Sequence, residues 1–342
     1  MMTRRHACTA IALTATAFGQ KSDRPTVRLQ STRASAAFDL LGGSLISFQF
    51  TERANDVNPL SWDSNGTANP ALPRPRGHFL CMDRWGQPSE AEKRNGMPFH
   101  GEASSISWKS LPTEGGSGTS SQGIGRMEAS LPIGQLRIER VAELSGAVLR
   151  VRERITNVGK LGRIYNAVQH PTIAPPFLDD ATVVDANCGA GFAQSAPDSH
   201  LEAGFTPFRT LHDNPNPNVV SFVIDSPSGW VTALSPTQNL AIGYVWETRD
   251  YPWLNIWRDV RNGKPSARGL EFGTTGLHQP FPEMVRRGGR MLDRPLFVYI
   301  DAGETQERAY SAFLARTPAG AKGIASVSLA TGQNEPEIRF IS

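Results

Sequence analysis

Hydrophobic and polar residues alternate along most of this chain, and long stretches with helical spacing are nearly absent. The segments with the clearest strand character are rich in Val, Ile, Phe, Tyr or Trp and are bounded by Gly, Pro, Asn or Asp. They are 38–50, 134–144, 146–157, 166–173, 219–225, 229–236, 240–248, 253–259 and 295–303. The 25 prolines and 32 glycines provide the turns that many short strands require. The pattern predicts an all-β fold, one large antiparallel β-sandwich.

The stretch "LRVRERI" at 149–155 shows the alternation clearly. Leu149, Val151 and Ile155 share one face, which Glu153 interrupts, and three arginines occupy the other face. This is typical of a strand with one face in water.

The chain has 342 residues, 39% of them hydrophobic, which is enough for a large core. No internal repeat stands out and no change in composition divides the chain, so we expect residues 21–342 to form a single domain. The pattern does not define an oligomeric state.

Residues 1–20 have the features of a signal peptide. Arg4 and Arg5 precede a short run of Ala, Ile, Leu and Thr, and Ala15-Thr16-Ala17 offers a cleavage site. The apolar run is too short and too rich in Thr to span a membrane. We therefore expect export to the periplasm or the cell exterior; a disordered N-terminus is the alternative.

Charge and cysteine content exclude several classes of partner. The net charge of +3 falls to +1 without residues 1–20, and no basic run with interleaved aromatic residues suggests nucleic acid. Cys81 and Cys188 remain outside that segment, and they form neither a disulfide framework nor the four-ligand spacing of structural zinc. We expect no metal and no cofactor. Whether the two thiols pair stays open.

The first candidate site segment is "GHFLCMDRWG" at 77–86, followed by "GMPFHGEASSISW" at 96–108. If 78–84 is extended, His78 and Arg84 point to the same side. Arg84 is compatible with a surface salt bridge or with a site. His100 is compatible with a hydrogen-bonded core histidine or with a residue that lines a site.

The second segment is "VQHPTIAPPF" at 168–177. Pro171 forces His170 into extended geometry, so His170 is expected near the end of a strand, on the same face as Asn166 and Val168. An imidazole there can exchange a proton near neutral pH. The alternative is a histidine that caps a turn.

The third segment is "ARGLEFGTTG" at 267–276. Leu270 and Phe272 are expected to face the core, which leaves Glu271 on the opposite face between Gly269 and Gly273. Two glycines beside a carboxylate leave room for a ligand over the strand. The alternative is a solvated Glu on a strand that the glycines weaken.

The strand "WLNIWRD" at 253–259 supports a sugar site. Trp253, Asn255 and Trp257 share one face, and two indoles around an amide suit a sugar ring with its apolar faces and hydroxyl edges. The alternative is that the tryptophans fill a second core layer.

These segments together resemble the aldose 1-epimerase (galactose mutarotase-like) superfamily, especially its glucose-6-phosphate 1-epimerase-like branch. The resemblance rests on "GHFLCMDRWG", "MPFHGEASSISW", "ITNVG" (155–159), "NAVQH" (166–170), "WLNIWRD" and "GLEFGTT", in that order over residues 38–310. It implies a β-supersandwich with a monosaccharide or oligosaccharide bound on its concave face.

The resemblance also implies roles for individual residues. His170 would be the general acid and Glu271 the general base, and Arg84 and His100 would bind sugar hydroxyls. His78, Trp253, Asn255 and Trp257 complete the predicted binding residues. Two departures affect the substrate: Ala103-Ser104 replaces the Ala-Arg pair of the sugar-phosphate branch, and Trp257-Arg258-Asp259 replaces a Trp-Asn-Pro.

The function expected from these residues is interconversion of sugar anomers by acid and base. A non-catalytic carbohydrate-binding protein is the main alternative. A polysaccharide lyase would usually carry a helical domain, which the sequence does not predict. A metal site built from His100, His170 and Glu271 lacks the tight ligand spacing of metal motifs.

Overall fold

The computed structural model describes residues 24–53, 56–64, 66, 69–112, 120–199, 201–211 and 218–342. The predicted signal peptide at 1–20 lies outside them. No helix within these ranges is long and apolar enough to cross a membrane. The two α-helices are short: α1 is Glu90–Arg94 and α2 is Phe281–Arg286. Two turns of 3₁₀-helix lie at Ala103–Ser105 and Thr206–Phe208.

About half of the described chain forms strands and very little of it is helical, which confirms the all-β prediction. They are β1 Thr26–Gln30, β2 Ala34–Asp39, β3 Ser44–Phe50, β4 His78–Met82, β5 Lys109–Leu111, β6 Ser120–Gln122, β7 Ile124–Leu131, β8 Leu136–Ser145, β9 Val148–Asn157, β10 Arg163–Tyr165, β11 Ala167–Ile173, β12 Val183–Ala186, β13 Gly191–Ala193, β14 Leu201–Glu202, β15 Asn218–Val223, β16 Ser228–Ser235, β17 Leu240–Glu247, β18 Trp253–Arg261, β19 Lys264–Gly273, β20 Arg290–Met291, β21 Arg294–Pro295, β22 Val298–Ile300, β23 Thr305–Arg316, β24 Gly323–Ser328 and β25 Glu337–Ile341.

Two large sheets hold most of these strands. One has eleven strands in the order β14-β13-β15-β18-β19-β11-β4-β3-β2-β1-β6, and the other has eight in the order β12-β16-β17-β23-β9-β8-β7-β5. Neighbouring strands within them are antiparallel, except that β1 and β6 are parallel. The small pairs β10-β22, β20-β21 and β24-β25 complete the fold. This is a large antiparallel β-sandwich.

The strand predictions differ from the structure at several places, among them 295–303, of which only Pro295 and Val298–Ile300 are in strands. The segment 38–50 divides into parts of β2 and β3 at Gly42-Gly43, where a Cβ on Gly43 would lie 2.2 Å from the indole of Trp108. Strand β23 was not among the predicted strands, although it is twelve residues long and pairs with both β9 and β17. Its alanines at 309, 312 and 315 have low strand propensity, so pairing on both sides decides its structure.

The main core lies between the two sheets and follows the predicted alternation. Leu149, Val151 and Ile155 of β9 are buried in it, and the arginines between them face outward. Glu153 points into this core as predicted from its position, and there it pairs with Arg140 of β8 at 2.8 Å. Both side chains are almost fully buried.

This ion pair continues as a chain of hydrogen bonds across the core. Gln169 of β11 donates from its amide nitrogen to Glu153 at 2.7 Å, and its oxygen lies 3.0 Å from Nε2 of His78 on β4. Because that oxygen only accepts, Nε2 of His78 carries the proton. Burial lowers the pKa of His78 to about 3, so its ring is neutral. The chain of bonds joins the eight-stranded sheet to the eleven-stranded sheet.

We expect Arg140→Met to destabilise the protein by about 3–5 kcal/mol, because it leaves the carboxylate of Glu153 buried without its partner. Denaturant unfolding measures this loss. The double variant Arg140→Met/Glu153→Leu removes both charges and should recover much of it. A double variant as unstable as Arg140→Met alone would contradict the pairing.

Candidate active site

A cavity of about 320 Å³ opens on the face of the eleven-stranded sheet that points away from the main core. Leu254, Ile256, Leu270 and Phe272 pack into the core, so the alternate positions of β18 and β19 face the cavity side. The lining residues are mostly aromatic. They are Trp62, Ser64, Pro75, Phe79, Trp85, Phe99, His100, His170, Val219, Trp257, Glu271 and His278.

His170 and Glu271 meet at the base of this cavity, although 100 residues separate them along the chain. Nε2 of His170 lies 3.1 Å from Oε1 of Glu271, and both side chains are buried. Strands β11 and β19 are antiparallel neighbours in which Val168 pairs with Gly273 and Thr172 pairs with Gly269. This register places positions 170 and 271 opposite each other, so their side chains project from the same face.

The second carboxylate oxygen of Glu271 accepts a hydrogen bond from Nε1 of Trp85 at 2.7 Å. Burial raises the pKa of Glu271 to about 8, because the charged form has lost its water, and the Trp85 bond opposes this shift. Trp85 lies three residues after the end of β4 and directly before Gly86. It was not among the predicted site residues.

His170 is held on two further sides. Its Nδ1 lies 3.0 Å from the hydroxyl of Thr172, and its ring stacks on Phe79 with ring centres 4.2 Å apart. Burial lowers the pKa of His170 to about 3. Between about pH 3 and about pH 8 the His170–Glu271 pair therefore holds one titratable proton besides the permanent N–H of the imidazole. The raised pKa of Glu271 and the lowered pKa of His170 place this proton on Glu271, which donates it to Nε2 of a neutral His170.

The two glycines beside Glu271 do not both leave open space. A Cβ on Gly273 would lie 2.4 Å from Cγ2 of Val168, so the side chain of Val168 already fills that position. A Cβ on Gly269 would lie 2.8 Å from Oε1 of Glu271, so this glycine lets the carboxylate lie over its own strand. The expected room for a ligand on both sides was wrong: the opening lies above the carboxylate, among the aromatic residues.

His100 lines the cavity from a tight turn. Its φ is +64°, and at the next residue a Cβ on Gly101 would lie 1.9 Å from the carbonyl oxygen of Met82, so only glycine fits there. Nδ1 of His100 accepts the backbone N–H of Gly86 at 3.1 Å. Because burial holds the pKa of His100 well below its usual value, the ring is neutral and its proton is on Nε2.

His278 is a cavity residue that the sequence analysis missed. Its ring meets the indole of Trp85 edge to face with centres 4.7 Å apart, and a Cβ on Gly86 would lie 2.7 Å from that ring. Burial lowers its pKa to about 4. It follows β19 by five residues in "GLHQP", where no local pattern distinguishes it from a turn histidine.

Trp257 lines the cavity as predicted, and Trp62 joins it. Their rings are 6.1 Å apart and nearly perpendicular, and Trp62 also stacks on Phe79 at 5.8 Å. Trp62 lies in the irregular segment between β3 and β4, two residues before the lining residue Ser64. Only the folded chain brings it to the site.

The predictions for Arg84 and His78 were wrong in their geometry. Strand β4 ends at Met82, and Asp83 has a φ of +79°, so the alternation that placed Arg84 beside His78 stops there. Arg84 instead forms ion pairs with Asp83 and Glu92, and its guanidinium lies 4.0 Å above the ring of Phe281. His78 faces the main core rather than the cavity.

Trp253 and Asn255 share the cavity side of β18 with Trp257, as predicted, but other residues cover them. Nε1 of Trp253 donates to the carbonyl of Pro295 at 2.7 Å, and its ring is fully buried. Asn255 accepts from Ser221 at 2.7 Å and donates to the carbonyl of Thr275 at 3.2 Å. Neither side chain lines the cavity, so binding roles for them find no support in the geometry.

Within the described residues, no group of three or more His, Cys, Asp or Glu side chains is arranged to hold a metal ion. Cys81 lies beside the cavity wall, packed with Phe79, Trp85 and Val168. It and Cys188 are both free thiols.

By sequence, no family model and no curated protein matches the chain. By structure, it matches several solved proteins over most of its length. The Slr1438 protein of Synechocystis sp. PCC 6803 has a TM-score of 0.65 at 15% identity, over 86% of this chain and 96% of that one. A galactose mutarotase-like protein from Lactobacillus casei ATCC 334 has a TM-score of 0.60 at 14% identity, over 85% and 100%. A galactose mutarotase related enzyme from Lactobacillus acidophilus has a TM-score of 0.61 at 11% identity, over 86% and 98%.

The chain has the galactose mutarotase-like fold. The resemblance found in the sequence is confirmed at this level. The glucose-6-phosphate 1-epimerase-like branch stays a prediction, because identities of 11–15% carry the fold and not the substrate.

Burial of Glu271 has a consequence for stability that can be measured without a substrate. In the folded protein Glu271 keeps its proton up to about pH 8, whereas in the unfolded chain it loses it near pH 4.5. The folded state thus binds more protons in this range, and stability must fall as pH rises through it. From pH 6.5 to pH 8 we expect the wild-type free energy of unfolding to fall by about 2 kcal/mol relative to that of Glu271→Gln.

Urea unfolding at the two pH values tests this. Glu247→Gln, an exposed carboxylate on β17, is the matched control and should follow the wild type. If the free energies of unfolding of wild type and Glu271→Gln changed equally between the two pH values, Glu271 would have to be ionised in the folded protein.

Proposed function

We propose that this protein is an aldose 1-epimerase-type isomerase that interconverts the anomers of a sugar. The observation that carries the proposal is the buried His170–Glu271 pair, which holds one proton at the base of an aromatic cavity. Support also comes from the fold, which the chain shares with a galactose mutarotase related enzyme.

Anomer exchange requires a proton donor at one oxygen of the hemiacetal and a proton acceptor at the other. Both oxygens are bonded to the same carbon, so the two catalytic groups must lie close together, as His170 and Glu271 do at 3.1 Å. A pair that shares one proton can provide both functions at once. No metal or nucleotide is needed for these proton transfers.

The reaction would proceed in three steps. One member of the pair takes the proton from the anomeric hydroxyl while the other protonates the ring oxygen, and the ring C–O bond breaks to give the open aldehyde. The aldehyde rotates about its bond to C2. The hydroxyl then attacks its other face, and the two protons return in the opposite direction.

The sequence resemblance gives His170 the role of acid and Glu271 that of base. The raised pKa of Glu271 and the lowered pKa of His170 favour the reverse, with the proton on Glu271. Ring opening and ring closure exchange the two roles, so each group serves as donor once per turnover in either assignment. Trp85 and Thr172 are positioning residues: Trp85 bonds to Glu271, and Thr172 bonds to His170.

Replacing either member of the pair should remove most of the activity. We expect Glu271→Gln and His170→Asn each to lower kcat by about 10²–10⁴-fold, since each deletes one proton transfer. Polarimetry of freshly dissolved sugars, with glucose and galactose as first substrates, measures this. Glu247→Gln is again the control and should keep wild-type kcat.

Wild-type rates in Glu271→Gln would remove this residue from the mechanism. Calorimetric binding of sugars without turnover by the wild type would instead favour a non-catalytic carbohydrate-binding protein.

The shared proton also predicts a pH profile. Above about pH 8 the pair loses its proton and no acid remains, and below about pH 3 both groups are protonated and no base remains. After correction for uncatalysed mutarotation, kcat/KM should be flat between these limits and fall about tenfold per pH unit above the upper one.

Trp85→Phe sharpens this test. It removes the N–H that stabilises the carboxylate, so the pKa of Glu271 should rise and the alkaline limb should move to higher pH. A limb that stays in place in this variant would assign it to another group.

A further inference from the structure

We propose that the sugar this cavity fits best carries apolar groups where glucose and galactose carry free hydroxyls, as in an O-methylated or deoxy aldopyranose. This inference rests on the proposed function and concerns the substrate of the same site. It depends on what the cavity presents to the ring beyond the anomeric carbon.

Aromatic side chains form most of the cavity wall. Five of the lining residues are Trp or Phe, namely Trp62, Phe79, Trp85, Phe99 and Trp257. Phe99 is 47% exposed and lies against His100 with ring centres 3.8 Å apart. Such rings pack well against methyl groups and C–H faces, and they offer no acceptor to a hydroxyl proton, since the indole N–H of a tryptophan only donates. The volume of about 320 Å³ is near the lower end for ligand cavities, as a single substituted ring requires.

Few hydrogen-bond acceptors remain for the sugar once the catalytic pair is assigned. Among the described residues that line the cavity, the polar side-chain atoms besides those of His170 and Glu271 belong to Ser64, His100, His278 and the tryptophan indoles, whose N–H groups only donate. An aldohexose has four hydroxyls in addition to the anomeric one, and each is both a donor and an acceptor. A buried hydroxyl without partners weakens binding, whereas a methyl ether or a missing hydroxyl avoids part of that cost.

The hydrogen bonding of His100 also favours an ether oxygen over a free hydroxyl. Its Nδ1 is engaged by the N–H of Gly86, so toward the cavity it offers the Nε2 proton alone. An ether oxygen is satisfied by such a donor, while a hydroxyl also needs an acceptor for its proton.

Two side chains that were predicted to bind the sugar are engaged elsewhere. Arg84 is paired with Asp83 and Glu92, and Asn255 bonds to Ser221 and to the carbonyl of Thr275. In the described part of the lining, Glu271 and the three histidines are the only titratable side chains. The cavity therefore presents no guanidinium or ammonium there for a sugar phosphate, in keeping with Ser104 at the position where the sugar-phosphate branch has Arg.

The test compares 2,3,4,6-tetra-O-methyl-D-glucose with D-glucose, and 6-deoxygalactose with galactose, as substrates for the wild-type protein. Mutarotation followed by polarimetry should give a kcat/KM for the methylated sugar at least about tenfold above that for glucose. The deoxy pair shows whether loss of one hydroxyl is sufficient. Equal or higher kcat/KM for glucose and galactose would overturn the inference and leave the proposed function intact.

If no sugar is turned over, the proposed function fails, and binding alone decides the inference. Quenching of the cavity tryptophans gives each Kd without catalysis. Tighter binding of the methylated sugar than of glucose supports the substrate class, and the opposite order overturns it.

Val219→Thr provides a variant test that preserves side-chain shape. It adds one hydroxyl to the apolar wall of the cavity, so the ratio of kcat/KM for methylated sugar to glucose should fall several-fold. Val158→Thr makes the same change at an exposed position outside the cavity and should leave the ratio unchanged. An unchanged ratio in Val219→Thr would contradict a role of the apolar wall in selecting the substrate.

Discussion

The structure depends on strand β11, which must satisfy polar side chains on both of its faces while every one of its residues is buried. On one face Gln169 bonds to Glu153 and His78 and so joins the two sheets. On the other face His170 meets Glu271. A shift of β11 by one residue would exchange these faces, leaving the Arg140–Glu153 pair without Gln169 and an imidazole in the core. The core network thereby fixes the register that the cavity needs.

The same burial determines the chemistry of the cavity. A carboxylate that has lost its water favours its protonated form, and an imidazole in the same surroundings favours its neutral form. These two preferences leave one proton for the pair at neutral pH, which is the number that a combined acid and base requires. Because Trp85 bonds to the second oxygen of Glu271, the carboxylate is held in place in either protonation state of the pair. The aromatic wall therefore both buries the His170–Glu271 pair and, through Trp85, orients the carboxylate of Glu271.

Local sequence patterns could predict part of this arrangement. Alternation has a period of two residues, so it correctly assigned the faces of β9, β18 and β19. Pro171 correctly indicated an extended His170, but the expected place near a strand end was wrong, because β11 continues through Pro171 to Ile173 and His170 lies in its middle. The same reasoning failed for Arg84, because one residue with positive φ at Asp83 ends the alternation without a glycine to mark it. Knowing which face of a strand a side chain occupies also does not reveal which other residues cover that face. Trp253 and Trp257 share one side of β18, yet Leu277, Phe281 and their neighbours bury Trp253 while Trp257 lines the cavity.

Residues that reach the site from irregular segments were beyond such patterns altogether. Trp62 and His278 have no periodic neighbours, and only the arrangement of the sheets brings them to the cavity. In the proposed anomer exchange these wall residues would help to select what binds, since the paired acid and base would act only on the anomeric centre. Shared fold at 11–15% identity shows the architecture, and both the reaction and the substrate have to be argued from the site itself. The substrate has to be inferred from the wall itself, where aromatic rings stand and where Arg84 and Asn255 are engaged elsewhere.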